Sequence, residues 1–358
     1  MVGQELPATL VVWAVLLAML ARGGALLSSQ KQLYTIVNDI YPHRNMTPTF
    51  VEYLNAVVGP QFSPPVRFQM ITGDSFESDW IDNYVARGDF VFSAPTEVAC
   101  LEAEQGMVPL LSFVDVSNGP GKAGFLFTRH DSNINTVRDL VGKRIEVVAG
   151  ASLSTLSLLR SMDDAGFNLL VDSKQVVFSG WGFMDNIFYD VLDDLVDAGI
   201  ARAGDMESLE TGGLISSWQF KPLAVEEGEN LFDGEPYPFL TSGRIYPQFG
   251  LLSKQGIDNV LRARIIAALT SMDPNEPAFA AGDYKEWIPA SSTAELHRLM
   301  DVTGFMVLEN GKTECLRAFD IYKSIVCPPG SYKRSEAEVK TSCRSKGIPC
   351  PRGLADVW

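Results

Sequence analysis

The chain has 358 residues, 46% hydrophobic and 20% charged, so it can form two globular domains and is too apolar for a disordered protein. Its 29 basic and 44 acidic residues give a net charge of −15 at pH 7, which repels nucleic-acid phosphates; we expect no nucleic-acid partner. An anionic small molecule is not excluded, because helix N-termini create a local positive field within a Debye length of about 8–10 Å.

An apolar run over residues 10–20, followed by small residues, is typical of a secretory signal peptide and its cleavage site. We therefore predict that residues 1–29 are a signal peptide and that the protein is secreted or displayed at the cell surface. The alternative is a retained signal anchor, because this region has no early Lys or Arg and carries Glu5.

Five cysteines are unevenly placed, with Cys100 alone and the other four, Cys315, Cys327, Cys343 and Cys350, near the carboxyl end. After a secretory signal, such a cluster indicates disulfides. Zinc is the competing interpretation, but the tail has no histidine and no Cys-x2-Cys pair. We expect Cys100 to be a small buried hydrophobic residue in a helix.

From residue 33, short β-rich runs alternate with helical segments, which indicates an α/β fold. A first series predicts strands at 33–37, 66–72, 90–92 and 108–113, with helices at 47–58, 78–86 and 95–105. A second series predicts strands at 125–128, 145–148, 176–178 and 200–203, with helices at 136–140, 154–165 and 185–198. The chain is predicted to cross between the lobes formed by these two series at two segments, called the crossings: the glycine-rich segment 118–124 and the Pro- and aromatic-rich segment 220–246. A further helix is predicted at 257–272.

Five motifs follow in order: GDFVFSAPT (88–96), DLVGKRI (139–145), VAGAS (148–152), DAGIAR (197–202) and SGRIYPQF (242–249). Together, over residues 31 to about 305, they resemble the phosphate/phosphonate-binding family of ABC-transporter solute-binding proteins, especially the version that forms the extracellular sensor of bacterial histidine kinases.

The resemblance implies a type II periplasmic-binding-protein fold, with two α/β lobes, a two-stranded hinge and a ligand in the cleft. It implies one lobe from residues 30–126 and 245–305 and the other from 127–244, followed by a linker at 306–326. The segment GASLST (150–155) departs from the Ser-Thr-Ser-Gly loop of phosphonate-binding members by placing Leu153 among the hydroxyl residues.

Two strand-to-helix junctions offer backbone N–H groups and the positive ends of helix dipoles, which suit an anion. The candidate ligand-binding residues at these junctions are Ser93, Pro95, Thr96, Gly150, Ala151, Ser152, Ser154 and Thr155. Ligands of open α/β sheets bind at such carboxyl ends of strands. The alternative at each junction is an ordinary helix start, in which Ser152 or Ser154 is an N-cap.

Four further candidates lie near the predicted crossings or at strand ends. Trp181, between two glycines, could cover a ligand or pack between the lobes. Arg202 and Arg244 could bind a carboxylate or phosphate, or form structural salt bridges. Tyr246, at the second crossing, completes the predicted set.

Four acids fall at helical spacing: Asp190, Asp193, Asp194 and Asp197. Such spacing could form a metal site, but a solvent-exposed helix face is the favoured interpretation. No nucleophile elbow, phosphate-binding glycine loop or zinc helix motif is present in the sequence. We therefore predict a binding protein without catalytic residues, cofactor or metal. An enzyme derived from the same fold is a minor alternative.

The segment CPPGSY (327–332), with Cys343 and Cys350 beyond it, resembles the opening of the cysteine-rich, ephrin-receptor-like repeats of extracellular proteins. We accordingly expect a partial cysteine-rich module at 327–358, a Cys327–Cys343 bond, and a membrane or receptor partner reached through this tail.

The predicted function is extracellular binding of a small anionic solute, of the phosphonate, phosphate, sulfonate or carboxylate class. The chain would serve as the sensing domain of a surface receptor or as a solute-binding protein. The alternative is a non-catalytic interaction or adhesion ectodomain whose cleft has degenerated.

Overall fold

The computed structural model describes residues 32–38, 47–73, 80–148, 153–179, 185–224, 230–309, 312–315 and 332–333. Two six-stranded sheets organise these residues into two lobes. The predicted signal peptide and most of the predicted cysteine-rich module, with the expected Cys327–Cys343 bond, lie outside the described residues. The domain boundaries stay a prediction.

The first sheet has the strand order β15-β4-β14-β3-β1-β2. Its strands are β1 (Leu33–Asn38), β2 (Arg67–Thr72), β3 (Phe90–Ser93), β4 (Val108–Asp115), β14 (Gly250–Ser253) and β15 (Tyr284–Pro289). The strand β1 pairs in parallel with β2 and β3, whereas β14 runs antiparallel between β3 and β4. The mixed sheet that results has buried apolar residues on both faces.

The helices of the first lobe connect or flank these strands. They are α1 (Thr47–Val57), α2 (Trp80–Asn83), α3 (Pro95–Gln105), α8 (Asn259–Thr270), α9 (Pro277–Gly282) and α10 (Ala294–Val302). Proline occupies the first position of α3. This position suits proline because a backbone N–H in the first turn would have no partner within the helix. Gly106 ends this helix in the left-handed region, with φ of 60°.

The second sheet has the order β10-β6-β9-β7-β8-β18. Its strands are β6 (Gly124–Arg129), β7 (Arg144–Val148), β8 (Gln175–Ser179), β9 (Ala198–Arg202), β10 (Phe220–Pro222) and β18 (Tyr332–Lys333). Its helices are α4 (Leu153–Asp164), α5 (Leu169–Asp172), α6 (Asn186–Leu192) and α7 (Asp205–Thr211). Strands β7, β8 and β9 are parallel, and separate apolar clusters cover the two faces of the sheet.

The lobes are joined by a two-stranded ribbon, in which β5 (Gly121–Lys122) pairs antiparallel with β13 (Tyr246–Pro247). The sequence predicted crossings in both of these segments. A hairpin of β11 (Leu231–Phe232) and β12 (Glu235–Pro236) lies within the second crossing segment.

The lobes approach closely beside this ribbon. Gly204 adopts φ of 92°, and a Cβ atom at this position would overlap the carbonyl oxygen of Ser117. Asn118 Nδ2 donates to the carbonyl oxygen of Ala203 at 2.9 Å, which joins the first crossing to the end of β9.

The prediction for Cys100 is wrong in one respect. The residue is buried in α3, as expected, but it forms a disulfide with Cys315 in β17 (Lys312–Cys315). β17 pairs with β16 (Met306–Glu309), so the disulfide attaches this hairpin to α3. The partner stands 215 positions away, a separation from which sequence alone cannot assign pairing.

The prediction of a helix at 185–198 is also wrong, because it is too long. The helix α6 ends at Leu192, and Asp194 takes φ of 57°, so the four acids do not share one helix face. Asp190 is fully buried, whereas Asp193 and Asp194 are exposed.

Candidate functional site

The first strand-to-helix junction lies where β3 ends and α3 begins. Ser93 is fully buried at the end of β3, Pro95 is buried as the first residue of α3, and Thr96 is half-buried. Ala94 occupies the N-cap position and provides no side-chain cap. No capping side chain screens the positive end of the α3 dipole, but the carboxyl group of Glu97 is buried in the first turn of the helix and lies close to that end.

The second junction lies at the start of α4. Ser154 and Thr155 are buried in its first turn, and Thr155 Oγ1 donates to the carbonyl oxygen of Val148 at 2.9 Å. This hydrogen bond ties the first turn of α4 to the end of β7. Of the other predicted residues, Gly150, Ala151, Ser152 and Trp181 lie outside the described residues.

Residues of α3 and α4 belong to one apolar cluster. Ala99 and Cys100 of α3 and Leu153 and Leu156 of α4 belong to it, together with Tyr246 from the ribbon. Gly124 permits the close approach of β6 and α4, because a Cβ at this position would overlap the Ser154 carbonyl oxygen. Leu296, Leu299 and Met300 of α10 belong to the same cluster, so α10 packs against both helices beside the crossing strands.

Arg202 does not present a free guanidinium. Its Nη2 lies 2.8 Å from Asp205 Oδ1, and its Nε contacts both oxygens of the same carboxylate at 3.1 Å. Asp205 is almost fully buried and also accepts from Asn118 at 3.4 Å. Arg202 therefore neutralises a buried carboxylate. Of its two predicted roles, ligand contact and structural salt bridge, this is the salt bridge.

Arg244 forms an ion pair with Glu295 on α10, and Arg298 contacts the same carboxylate at 3.2 Å. The side chain of Arg244 is about half exposed. It therefore lies on the surface, at a contact between the second crossing and the first lobe, and its pairing is structural in this conformation.

Lys122, in the glycine-rich segment that the sequence predicted as a crossing, lies on β5 of the ribbon. The residue is 8% exposed, and its Nζ is 5.0 Å from the centroid of the Phe249 ring. Phe249 precedes Gly250, which pairs with Ser93 at the end of β3.

Tyr237 stabilises the crossings from the other side. Its hydroxyl donates to the carbonyl oxygens of Asn118 at 2.7 Å and Gly121 at 3.1 Å. Burial and the negative charges of Glu207, Asp115 and Asp205 raise the pKa of this phenol. Tyr237 therefore remains a neutral hydrogen-bond donor throughout the physiological range.

Within the described ranges, no group of three or more His, Cys, Asp or Glu residues could hold a metal ion. No helix in the same ranges is long and apolar enough to cross a membrane.

The family model described as the periplasmic substrate-binding protein of phosphonate ABC transporters matches residues 84–295. The match covers more than half of the chain, so the chain belongs to this family of substrate-binding proteins.

A curated relative is the tetrathionate sensor histidine kinase TtrS of Salmonella typhimurium. It is 25% identical over 244 residues, which is 65% of this chain and 38% of the relative. This chain thus spans well under half of the relative's length.

Two solved structures are similar in fold. The XAC2383 protein of Xanthomonas citri, bound to ATP, has a TM-score of 0.55 at 17% identity, covering 76% of this chain and 96% of its own. PhnD1 of Prochlorococcus marinus, in complex with methylphosphonate, has a TM-score of 0.50 at 11% identity, covering 76% and 98%. The predicted type II periplasmic-binding-protein fold is confirmed.

Proposed function

We propose that this chain binds a small anionic solute in the cleft between its lobes and is not an enzyme. The solute belongs to the phosphonate, phosphate, sulfonate or carboxylate class. The chain works outside the cytoplasm, as the sensing domain of a surface receptor or as a solute-binding protein, and the carboxyl-terminal tail contacts a membrane or receptor partner.

The main support is that α3 and α4, one from each lobe, contribute residues to one cluster beside the crossing strands. The start of each helix has a positive dipole end and buried hydroxyl or small residues, and the start of α3 also carries the buried Glu97. We assign Ser93, Pro95, Thr96, Ser154, Thr155 and Tyr246 to the walls of the site, with Gly150, Ala151, Ser152 and Trp181 from the adjoining sequence. Arg202 and Arg244 support these walls through their ion pairs.

The named relatives agree with an anionic ligand. The solved neighbours carry ATP and methylphosphonate, and the curated relative is named for sensing tetrathionate. All three molecules are anions. The relative's kinase assignment also favours a role in signalling across a membrane.

A thermal-shift screen tests the proposal. Phosphate, methylphosphonate, methanesulfonate, acetate and tetrathionate would be compared with neutral dimethyl sulfone at constant ionic strength. A ligand at 100 times its Kd adds about 2.7 kcal/mol, so at least one anion should raise Tm by several degrees. A folded protein that no anion stabilises would contradict the proposal.

One observation favours the second candidate, an interaction ectodomain with a degenerate cleft. Leu153 and Leu156 belong to the same buried apolar cluster as Ala99 and Cys100. If this packing fills the site, no member of the screen will shift Tm. A positive screen excludes this candidate.

A further inference from the structure

A turn at the end of β4 is fixed to the first sheet. Asp115 and Gly119 exchange backbone hydrogen bonds at 2.9 and 3.0 Å. The Val116 N–H donates to the carbonyl oxygen of Asp283, which precedes β15, at 3.2 Å. Oδ1 of Asp115 also accepts backbone N–H groups inside the turn. The 115–119 turn therefore moves with the first lobe.

The same turn contacts the start of α7 in the second lobe. Asn118 Nδ2 donates to the carbonyl oxygen of Ala203 at 2.9 Å and lies 3.4 Å from Asp205 Oδ1. The two backbones also touch, because a Cβ on Gly204 would lie 2.3 Å from the carbonyl oxygen of Ser117. All the hydrogen-bonding groups of this contact are buried. The lobes cannot separate here without breaking buried hydrogen bonds, which is costly.

The second crossing holds the turn in place. The Tyr237 hydroxyl donates to the carbonyl oxygens of Asn118 and Gly121 at 2.7 and 3.1 Å. Nε2 of Gln248, a buried residue, donates to the carbonyl oxygen of Gly119 at 3.2 Å. Buried polar networks of this kind make a local structure rigid when their members are hydrogen-bonded.

The other face of the ribbon is different in character. Ile245 packs against the apolar cluster that contains Ala203, whereas the next residue, Tyr246, belongs to the cluster of α3, α4 and α10. Successive residues of a strand point to opposite faces. On the Tyr246 face, α10 packs against α4 through apolar side chains, and the ion pair of Arg244 with Glu295 is about half exposed. Apolar contacts are not directional, so packed helices can slide along each other.

We propose that the 115–119 turn and the start of α7 form a fixed pivot for the motion of the lobes, and that α4 slides along α10 on the opposite face of the ribbon. The pivot keeps its hydrogen bonds as the lobes move and restricts them to one direction of motion. This inference goes beyond the proposed function and holds for the chain without a ligand.

The test is the distance between the lobes in the full chain without ligand, measured by double electron–electron resonance. Genetically encoded spin labels replace Val171 on α5 and Val260 on α8, which are 77% and 57% exposed. Asn118→Ala removes the hydrogen bonds to the second lobe. Loss of one ordinary hydrogen bond shifts a conformational equilibrium roughly five-fold, so distances outside the wild-type range should become about five times as populated.

The matched control is Asn55→Ala. The side chain of Asn55 exchanges hydrogen bonds with the backbone of Phe68 at 2.7 and 3.0 Å, entirely within the first lobe. This variant should keep the wild-type distribution of lobe distances. If Asn118→Ala does not fold, Tyr237→Phe, which removes the phenol hydrogen bonds to the turn, replaces it with the same expected broadening.

A second variant tests the contact by displacement. Gly204→Ala places a Cβ against the carbonyl oxygen of Ser117, so the turn and the start of α7 must move apart. We expect the mean distance between the labels to change from its wild-type value.

The pivot is wrong if Asn118→Ala has the wild-type distribution, if Asn55→Ala broadens it equally, or if folded Gly204→Ala keeps the wild-type mean distance. These outcomes leave the proposed function untouched. If no anion stabilises the protein in the thermal-shift screen but Asn118→Ala broadens the distribution, the proposed function fails and the pivot stands.

Discussion

At the scale of single residues, the two arginines that were candidate ligand contacts differ in what surrounds them. Arg202 contacts a carboxylate that is 4% exposed, whereas Arg244 contacts Glu295 with both side chains about half exposed. Removal of one partner from a buried pair leaves an uncompensated charge, whereas an exposed pair contributes little. The two substitutions should therefore differ in their effect on stability.

We predict that Arg202→Met lowers the free energy of unfolding by about 3 kcal/mol and that Arg244→Met lowers it by less than about 1 kcal/mol. Urea unfolding followed by circular dichroism measures both. Equal losses of unfolding free energy for the two variants would show that the buried charge of Asp205 does not require Arg202 as its partner.

The sequence named Arg202 as a candidate but could not decide its role. Asp205 follows three residues later, and it reaches back to Arg202 because Gly204 adopts a positive φ between them. That backbone conformation is a property of the folded crossing.

At the scale of secondary-structure elements, Arg144 anchors the start of β7. Its backbone N–H and guanidinium donate to Asp197, at 2.7 Å from N to Oδ2 and 2.8 Å from Nη2 to Oδ1. Burial alone would raise the pKa of Asp197, but the hydrogen bonds and charge of Arg144 outweigh it, and the pKa is lowered. The pairing joins β7 to the turn before β9.

A carboxyl group whose pKa is lowered on folding adds stability above its unfolded pKa of about 3.9, and this contribution disappears as pH falls through the folded pKa. We predict that Arg144→Met costs about 1 kcal/mol at pH 6 and that the difference from wild type shrinks below about pH 4. Urea unfolding at pH 6, 5, 4 and 3 measures it.

The control for this prediction is Arg160→Met. Arg160 pairs with Asp164 on α4, and both side chains are about half exposed. This variant should lie within about 0.5 kcal/mol of the wild type at each pH. A difference between Arg144→Met and wild type that is constant from pH 6 to pH 3 would exclude the linkage to Asp197.

The disulfide between Cys100 and Cys315 allows a second prediction, which concerns how the β16–β17 hairpin is held to α3. It attaches the β16–β17 hairpin to α3, and removal of a native disulfide costs about 2–5 kcal/mol. We predict that Cys100→Ala and Cys315→Ala each destabilise the protein and that the double variant is no worse than the more destabilised single variant. Additive losses in urea unfolding would contradict a bond between these two residues.

At the scale of the whole molecule, the sequence predicted the alternation of strands and helices, both crossings and the family fold. The succession of elements depends on local hydrophobic patterns, which a sequence displays directly. The end of α6 at Leu192 was missed, because acids at helical spacing gave no sign of the left-handed turn at Asp194. The disulfide and the partners of the arginines depend on contacts that form only in the folded chain, so the sequence could not show them.

The proposed function requires that both lobes hold one ligand. Closure of two lobes on a ligand buries backbone N–H groups on each side and slows their exchange with solvent. Segments 93–97 and 153–157 start α3 and α4 and belong to opposite lobes. The helix α8 packs in the core of the first lobe and provides an internal reference.

The most direct measurement is hydrogen–deuterium exchange with and without a saturating concentration of the anion that stabilises the protein most. We predict that segments 93–97 and 153–157 both gain protection from exchange, while the exchange of α8 is unchanged. Protection in neither segment, or in only one of them, would contradict a ligand held between the lobes.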